Sequence, residues 1–222
     1  ATTSLTLTFL STIEPQDTII VGAVSRAALG APTITAADSA GGSYAVAIQQ
    51  TINLGVQRQA ILVAPQVTGG GKTVTLTLGA TGDVTGVACV LKGSRPASPI
   101  CGTQVASDTN VSPTLTLTPT ETVVAVFGLF AHIGLDQSLG VGGDYTLVGK
   151  RESGTTDPPL LLEVRLMTAR AAHTIDGTIG ISGLWGMVAC ALAEWDLWMP
   201  LAVGLVAGGS PAYTATASGV IA

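Results

Sequence analysis

Gly69-Gly70-Gly71-Lys72-Thr73 is the stretch of this 222-residue chain closest to a chemical motif. A phosphate loop holds a nucleotide with backbone N–H groups and one lysine. It needs a glycine five residues before the Gly-Lys pair and a helix after it. Gln66 holds that position, and an alternating strand over Thr73–Leu78 follows. The run reads instead as a hairpin turn.

His132 and His173 are far apart in sequence, in apolar, strand-like surroundings. Neither has a carboxylate or cysteine at ligand spacing, so both read as structural histidines. Gly180-Ile181-Ser182-Gly183 does not have the spacing of a nucleophile elbow. Glycoside hydrolysis needs two placed carboxylates. The chain has 14 Asp and Glu residues, and no spacing marks a pair. Asp38, Asp136 and Asp144 lie in loop-like stretches, but without the Asp-x-Asp-x-Asp-Gly pattern of a calcium loop. Trp185, Trp195 and Trp198, with Tyr44, Tyr145 and Tyr213, could form a sugar-stacking platform. With aromatics at only 4%, core or interface roles fit them better. No catalytic residue, metal or cofactor is expected, and the chain reads as a non-enzyme.

Cys89, Cys101 and Cys190 are too few for a disulfide framework and match no zinc spacing. Each reads as a small buried hydrophobe. In a cytoplasm all three are expected reduced.

Charged residues make up 10% of the chain, against about 25% in an ordinary domain. Thr, Ser, Gly and Ala fill the difference. Such a surface loses little on desolvation, which suits burial against other subunits. A Thr/Ser-rich face on an exposed β protein has the same composition. Net charge is −5 and the nine basic residues are scattered. Nucleic acid and anionic membranes both call for clustered Lys and Arg, so neither is an expected partner. ATTSLTLTF has no basic and then apolar stretch, so no secretory leader is expected. The apolar run from Leu197 to Ala207 is about 11 residues, against about 20 for a membrane-spanning helix.

The elements are short. Leu5, Leu7 and Phe9 alternate with Thr6 and Thr8, and Val74, Leu76 and Leu78 with Thr73, Thr75 and Thr77. Period two with threonine outward marks half-buried antiparallel strands. Runs of this kind recur between Gly, Pro and Asp clusters, the rhythm of a β-sandwich. The spacing predicts strands at 4–10, 18–24, 32–37, 44–50, 59–64, 73–78, 85–91, 114–117, 122–130, 145–148, 160–167, 173–181 and 186–193. It predicts a loop over Ser138–Gly143 and a short helix around Arg26–Leu29.

A weak internal repeat runs through the chain. Leu5-Thr6-Leu7-Thr8 and Leu115-Thr116-Leu117-Thr118 each lead through a proline to an apolar strand. The halves end in Val87-Ala88-Cys89-Val90-Leu91 and Val188-Ala189-Cys190-Ala191-Leu192. The offsets are 110, 104 and 101 residues. Two Greek-key halves of one sandwich would give this pattern, and so would convergent strand composition. In both final strands Val, Cys and Leu share one face, which is expected to point inward.

After Trp195 the character changes. Residues 1–195 are expected to form the sandwich. Residues 196–222 form either an arm on a neighbouring subunit or extra edge strands on the chain's own sandwich. The expected interface residues are Trp195, Trp198, Met199, Leu201, Val203, Leu205 and Tyr213, because an apolar tail needs something to cover it.

Asp38-Ser39-Ala40-Gly41-Gly42-Ser43-Tyr44 resembles the D-x-x-G-N-x-Y turn of a β-sandwich module common in phage virion proteins. An apolar strand at Ala60–Ala64, a glycine turn at Gly69–Gly71 and Thr73-Val74-Thr75-Leu76-Thr77 follow in that module's order. The likeness continues through Cys89–Gly93 to a Trp-containing strand near Trp185. Gly42 stands where the module has Asn, and Leu91 where it has an aromatic. The resemblance implies an all-β, antiparallel, jelly-roll-like sandwich in a phage particle, as a capsid decoration, minor tail or fibre protein. The implied partners are copies of itself and other virion proteins, with assembly in the host cytoplasm. It implies no catalytic residue. A carbohydrate-binding or adhesin module, contacting a surface glycan through exposed aromatics, is the alternative. A cell-wall hydrolase would need two carboxylates converging in a cleft.

Overall fold

A computed structural model describes residues 2–92, 98–134, 138–152 and 157–193, with the backbone of 201–204, 206–208 and 218–221. The described residues contain strands and no helix. The first half carries β1 (Thr2–Thr8), β2 (Thr18–Arg26), β3 (Ile34–Asp38), β4 (Ala45–Ile52), β5 (Gln57–Ala64) and β6 (Thr73–Leu91). The second carries β7 (Ile100–Asn110), β8 (Thr114–Leu117), β9 (Val124–His132), β10 (Leu139–Val141), β11 (Thr146–Arg151), β12 (Leu160–Met167), β13 (His173–Ile179) and β14 (Gly183–Ala193). Three short strands follow, β15 (Leu201–Gly204), β16 (Val206–Gly208) and β17 (Ser218–Ile221).

The architecture is an antiparallel β-sandwich, and the sheets stack in four layers. β16, β6, β2, β5 and β4 form one large sheet, and β7, β14, β9, β12 and β11 form the other. The first part of β6 also pairs β1 and β3 in a small outer sheet. β13 pairs β8 and β10 in the matching outer sheet. Each half has its own core between its small and large sheets, one around Leu7, Val21, Leu62 and Leu76, the other around Leu115, Phe130, Leu161 and Trp185. A third core joins the two large sheets. It holds Val87, Cys89 and Leu91 from one final strand and Val188, Cys190 and Leu192 from the other. The shared inward face expected of these residues is therefore their actual face.

β2 is buried along nearly its whole length and β9 along all of it, because both lie in inner layers with a core on each side. Ile20 and Val24 face the shared core, while Ile19, Val21 and Ala23 face the first half's own. Gly22 is one of the places where the halves approach closely. A side chain there would meet Leu129 Cδ1 at 3.0 Å and Leu162 Cδ1 at 3.2 Å.

The repeat extends to strand pairing. β2–β5, β2–β6, β4–β5, β1–β6 and β3–β6 correspond to β9–β12, β9–β14, β11–β12, β8–β13 and β10–β13. The register break between Val46 and Ile48 recurs between Leu147 and Gly149. β-Bulges are specific local features, so one in the same place in both halves marks true equivalence. The ladders also correct the sequence alignment of the second strands. Thr18 pairs Leu91 as Ala125 pairs Leu192, an offset of 107 residues rather than 104.

Several expected elements differ. Residues 73–78 and 85–91 belong to one 19-residue strand, β6, that runs from the small sheet into the large one. The second half breaks at the same place, between β13 and β14. β7 was not expected, and β10 occupies part of the stretch read as a loop. The helix expected at Arg26–Leu29 is the end of β2 followed by a turn, closed by Gly30 N–H donating to Ala27 O at 3.3 Å. The glycine run is not a hairpin either, since β5 and β6 do not pair with each other.

Candidate functional site

The glycine run ties three segments together. Gly69 N–H donates to Ala40 O at 3.0 Å and Gly70 N–H to Ile13 O at 2.8 Å. The Lys72 and Thr73 N–H groups both donate to Ser39 Oγ. The amides that would cradle a phosphate are thus committed to the fold. Gly69 and Gly70 have φ of 83° and 88°, and a side chain on Gly71 would run into the Ser39–Ala40 backbone.

Asp38 closes the turn before β4. Its Oδ1 accepts from Ala40 N at 2.6 Å and Gly42 N at 2.9 Å. Gly42 is required here because a Cβ would strike Asp38 Oδ2. Burial pushes the Tyr44 phenol well up, and the neighbouring Asp38 carboxylate adds to that. Gly41-Gly42-Ser43-Tyr44 recurs 101 residues on as Gly142-Gly143-Asp144-Tyr145. Tyr145 is buried where Tyr44 is partly buried, and its phenol is raised first by burial and then by Glu163.

Glu163 is fully buried on β12. Its Oε2 accepts from Gly142 N at 3.0 Å, and burial raises its carboxyl to about 8, with Asp176 adding to the rise. Arg165 binds Asp144 at 2.7 Å and stands over the Tyr145 ring. Two carboxylates and a phenol are therefore neighbours, but Glu163 sits inside the second sandwich without access to solvent. Among the described residues no group of three His, Cys, Asp or Glu side chains is placed to hold a metal.

A polar seam joins the halves at one end of the shared core. Arg26 Nη1 donates to Ile133 O at 3.3 Å, and Gln57 Nε2 to His132 O at 3.4 Å. The Gln50 amide, oriented by its neighbours, donates to Ala106 O at 2.9 Å and Met187 O at 3.2 Å. His132 accepts from Gly134 N at 2.8 Å through Nδ1, and burial lowers its pKa. His173 Nε2 lies 3.2 Å from Ala169 O. Among the described residues neither histidine belongs to a group of three His, Cys, Asp or Glu side chains that could hold a metal.

At the Arg26 end two loops lie side by side. Ala27 N donates to Val56 O at 3.1 Å and Ala31 N to Gly55 O at 2.6 Å. Leu29 on one loop and Leu54 on the other are fully exposed, each at 104%. Asn53 and Leu54 both have φ of 53°, a left-handed conformation that strains a leucine. A cleft of about 310 Å³ lined by Arg26, Ala27, Ala28, Val56 and Asp83 opens beside them. The sequence carried no sign of this apolar tip.

Trp185 is 2% exposed and Tyr145 7% exposed, and both belong to the second half's core. Tyr44 packs on the first half's core. The Trp185 and Tyr145 rings are thus closed off from a sugar, and Tyr44 is partly buried. Of the expected interface residues, Trp195, Trp198, Met199, Leu205 and Tyr213 lie outside the described residues. Leu201 and Val203 are in β15, paired with Ile221 and Gly219 of β17. β16 adds to the edge of β6, with Val206 opposite Ala88.

No family model matches the chain, and no curated protein or solved structure matches it.

Proposed function

We infer that the chain is a non-enzymatic structural protein of a phage particle, a capsid decoration or tail-associated protein working through subunit contacts. The observation that carries this reading is the loop tip where Leu29 and Leu54 project fully into solvent. Two exposed leucines on hydrogen-bonded neighbouring loops, one in a strained conformation, contribute nothing to the chain's own core. Apolar side chains displayed in this way suit contact with a partner. The low charge content and the turn repeated at Tyr44 and Tyr145 support the same reading.

Mass spectrometry and electron microscopy of purified particles test it. The protein is expected in the particle at a fixed copy number, and its absence would remove the reading. Leu29→Ser with Leu54→Ser is expected to reduce incorporation while the thermal transition of the isolated protein stays in place.

A further inference from the structure

The two halves hold the turns that lead into β4 and β11 in different ways. In the first half the turn closes on itself, with Asp38 Oδ1 accepting from Ala40 N and Gly42 N. In the second half the turn Gly142-Gly143-Asp144-Tyr145 has its own carboxylate turned away, toward Arg165. It is held instead by Glu163 of the large sheet, whose Oε2 accepts from Gly142 N at 3.0 Å. The strand before the turn, β10, is tied to β13 at three positions, Leu139 to Val141.

Glu163 lies between two layers. Leu162 and Val164 face the shared core, and Leu161 the second half's own, so alternation points Glu163 toward the outer sheet. It is fully buried, and its Oε1 has no hydrogen-bond partner. Tyr145 Oη in the same turn has none either. An unpaired buried oxygen costs free energy that water would return. The first half has Leu62 in this place, and no such cost.

The charges nearby do not balance an ionised Glu163. Asp176 approaches from β13 and Asp144 from the turn. Arg165, next on the same face of β12, binds Asp144 at 2.7 Å. His173 of β13 lies by Ala169 O. Lys150 of β11 binds Glu152 and Leu139 O, and Arg151 binds Asp157. His132 ends β9, four residues beyond the Gly128 that opposes Glu163. β8 and β10 carry no titratable side chain. Arg26 of β2 and Asp83 of β6 belong to strands that pack on the other face of β12.

We propose that Glu163 makes β10 and the Gly142–Tyr145 turn a pH-sensitive strap, which lies closed on β12 while the carboxyl is protonated and lifts to let Glu163 reach water once it ionises. In the closed form burial, with Asp176, raises the carboxyl to about 8 from 4.5. The closed strap therefore keeps a proton that the open one releases. Opening grows with pH between those values, by about tenfold per unit, and levels off above 8. A strap with so short a ladder can open without unfolding the sandwich.

Amide hydrogen exchange of the full chain, followed by NMR from pH 5 to pH 8 and corrected for intrinsic rates, tests this. Gly142 N–H, which donates to Glu163, and Tyr145 N–H, which donates to Gly142 O at 3.2 Å, report on the strap. Val21 and Leu129 N–H report on the inner strands. Protection of the strap amides is expected to fall about tenfold per pH unit and to respond little to low urea. The inner amides are expected to be far better protected and to lose protection as urea rises. In Glu163→Gln the strap's protection should not vary with pH. A flat profile in the parent overturns the proposal, and so does an unchanged slope in Glu163→Gln. Strap amides that match the inner strands in both protection and urea response overturn it too, since the opening is then global. Asp176→Asn supplies a second variant. It should leave the strap better protected at pH 8 than in the parent, and no gain counts against the proposal.

Discussion

Gly128 lies opposite Glu163 in the β9–β12 ladder, and its missing side chain admits the buried carboxyl. A Cβ on Gly128 would meet Glu163 Oε1 at 3.1 Å and Ile175 Cγ2 at 2.5 Å. In the first half the equivalent pair is Val21 and Leu62, both apolar and both buried. Gly128→Val is expected to destabilise by about 1–3 kcal/mol through overpacking. Adding Glu163→Leu restores the first half's pairing and should recover part of that loss. Urea unfolding of both single variants and the double variant measures it, with a coupling of about 0.5–3 kcal/mol expected for touching residues. Strict additivity would show that the two positions do not share one space.

Glu163 also sets a pH dependence. Its folded carboxyl is raised to about 8, from an ordinary value of 4.5. Between those values the folded state holds a proton that the unfolded state has released. Stability is therefore full below about pH 4.5 and falls as pH rises toward 8, with a limiting slope of about 1.4 kcal/mol per pH unit. His132, lowered by burial, acts in the opposite sense below its ordinary 6.5. Comparison with Glu163→Gln isolates the glutamate. The variant's urea midpoint should vary less between pH 5 and pH 8 than that of the parent, and parallel profiles would assign the slope elsewhere.

Leu54 gives a prediction of the opposite sign. The two turn residues Asn53 and Leu54 both have φ of 53°, a geometry that suits Asn-Gly far better than Asn-Leu. Leu54→Gly should stabilise the isolated protein by about 1 kcal/mol, raising Tm by roughly 2–4 °C for a chain of this size. Calorimetry decides it. If the same variant loses particle incorporation, the strained leucine is kept for its contact rather than for the fold.

The three cysteines are buried and unpaired. Burial pushes Cys89 up to about 12 and raises Cys190 as well. The thiolate is the reactive form. A disulfide-exchange reagent should therefore find almost no thiol in the native protein and three after denaturation. Fewer than three in the denatured protein would place a disulfide where the structure has none.

Much of the fold was legible in the alternation of single strands. Thr114–Leu117 and Leu160–Met167 were bounded correctly, because each carries a clear apolar pattern between turn residues. β7 was not legible. It is an edge strand with most of its side chains exposed, and Ile100–Asn110 is too polar to show an apolar period. The layering was hidden for the opposite reason. Apolar runs such as Val124–His132 are buried on both sides, and an unbroken run does not say which sheets cover it. The Gly-Gly-x-Tyr repeat is readable at an offset of 101 residues, whereas the second strands align three residues out of register in sequence, because one apolar run resembles another at any shift. The Leu29–Leu54 tip was beyond sequence reading, since neither exposure nor a positive φ at leucine is marked by residue type.

The shared core has a further meaning. Val87, Cys89 and Leu91 meet Val188, Cys190 and Leu192 across what would be a dimer interface if the halves were separate chains. Joining the halves in one polypeptide turns that association into an intramolecular step, governed by effective concentration instead of protein concentration. The pairing of the two sandwiches within one chain therefore does not depend on protein concentration.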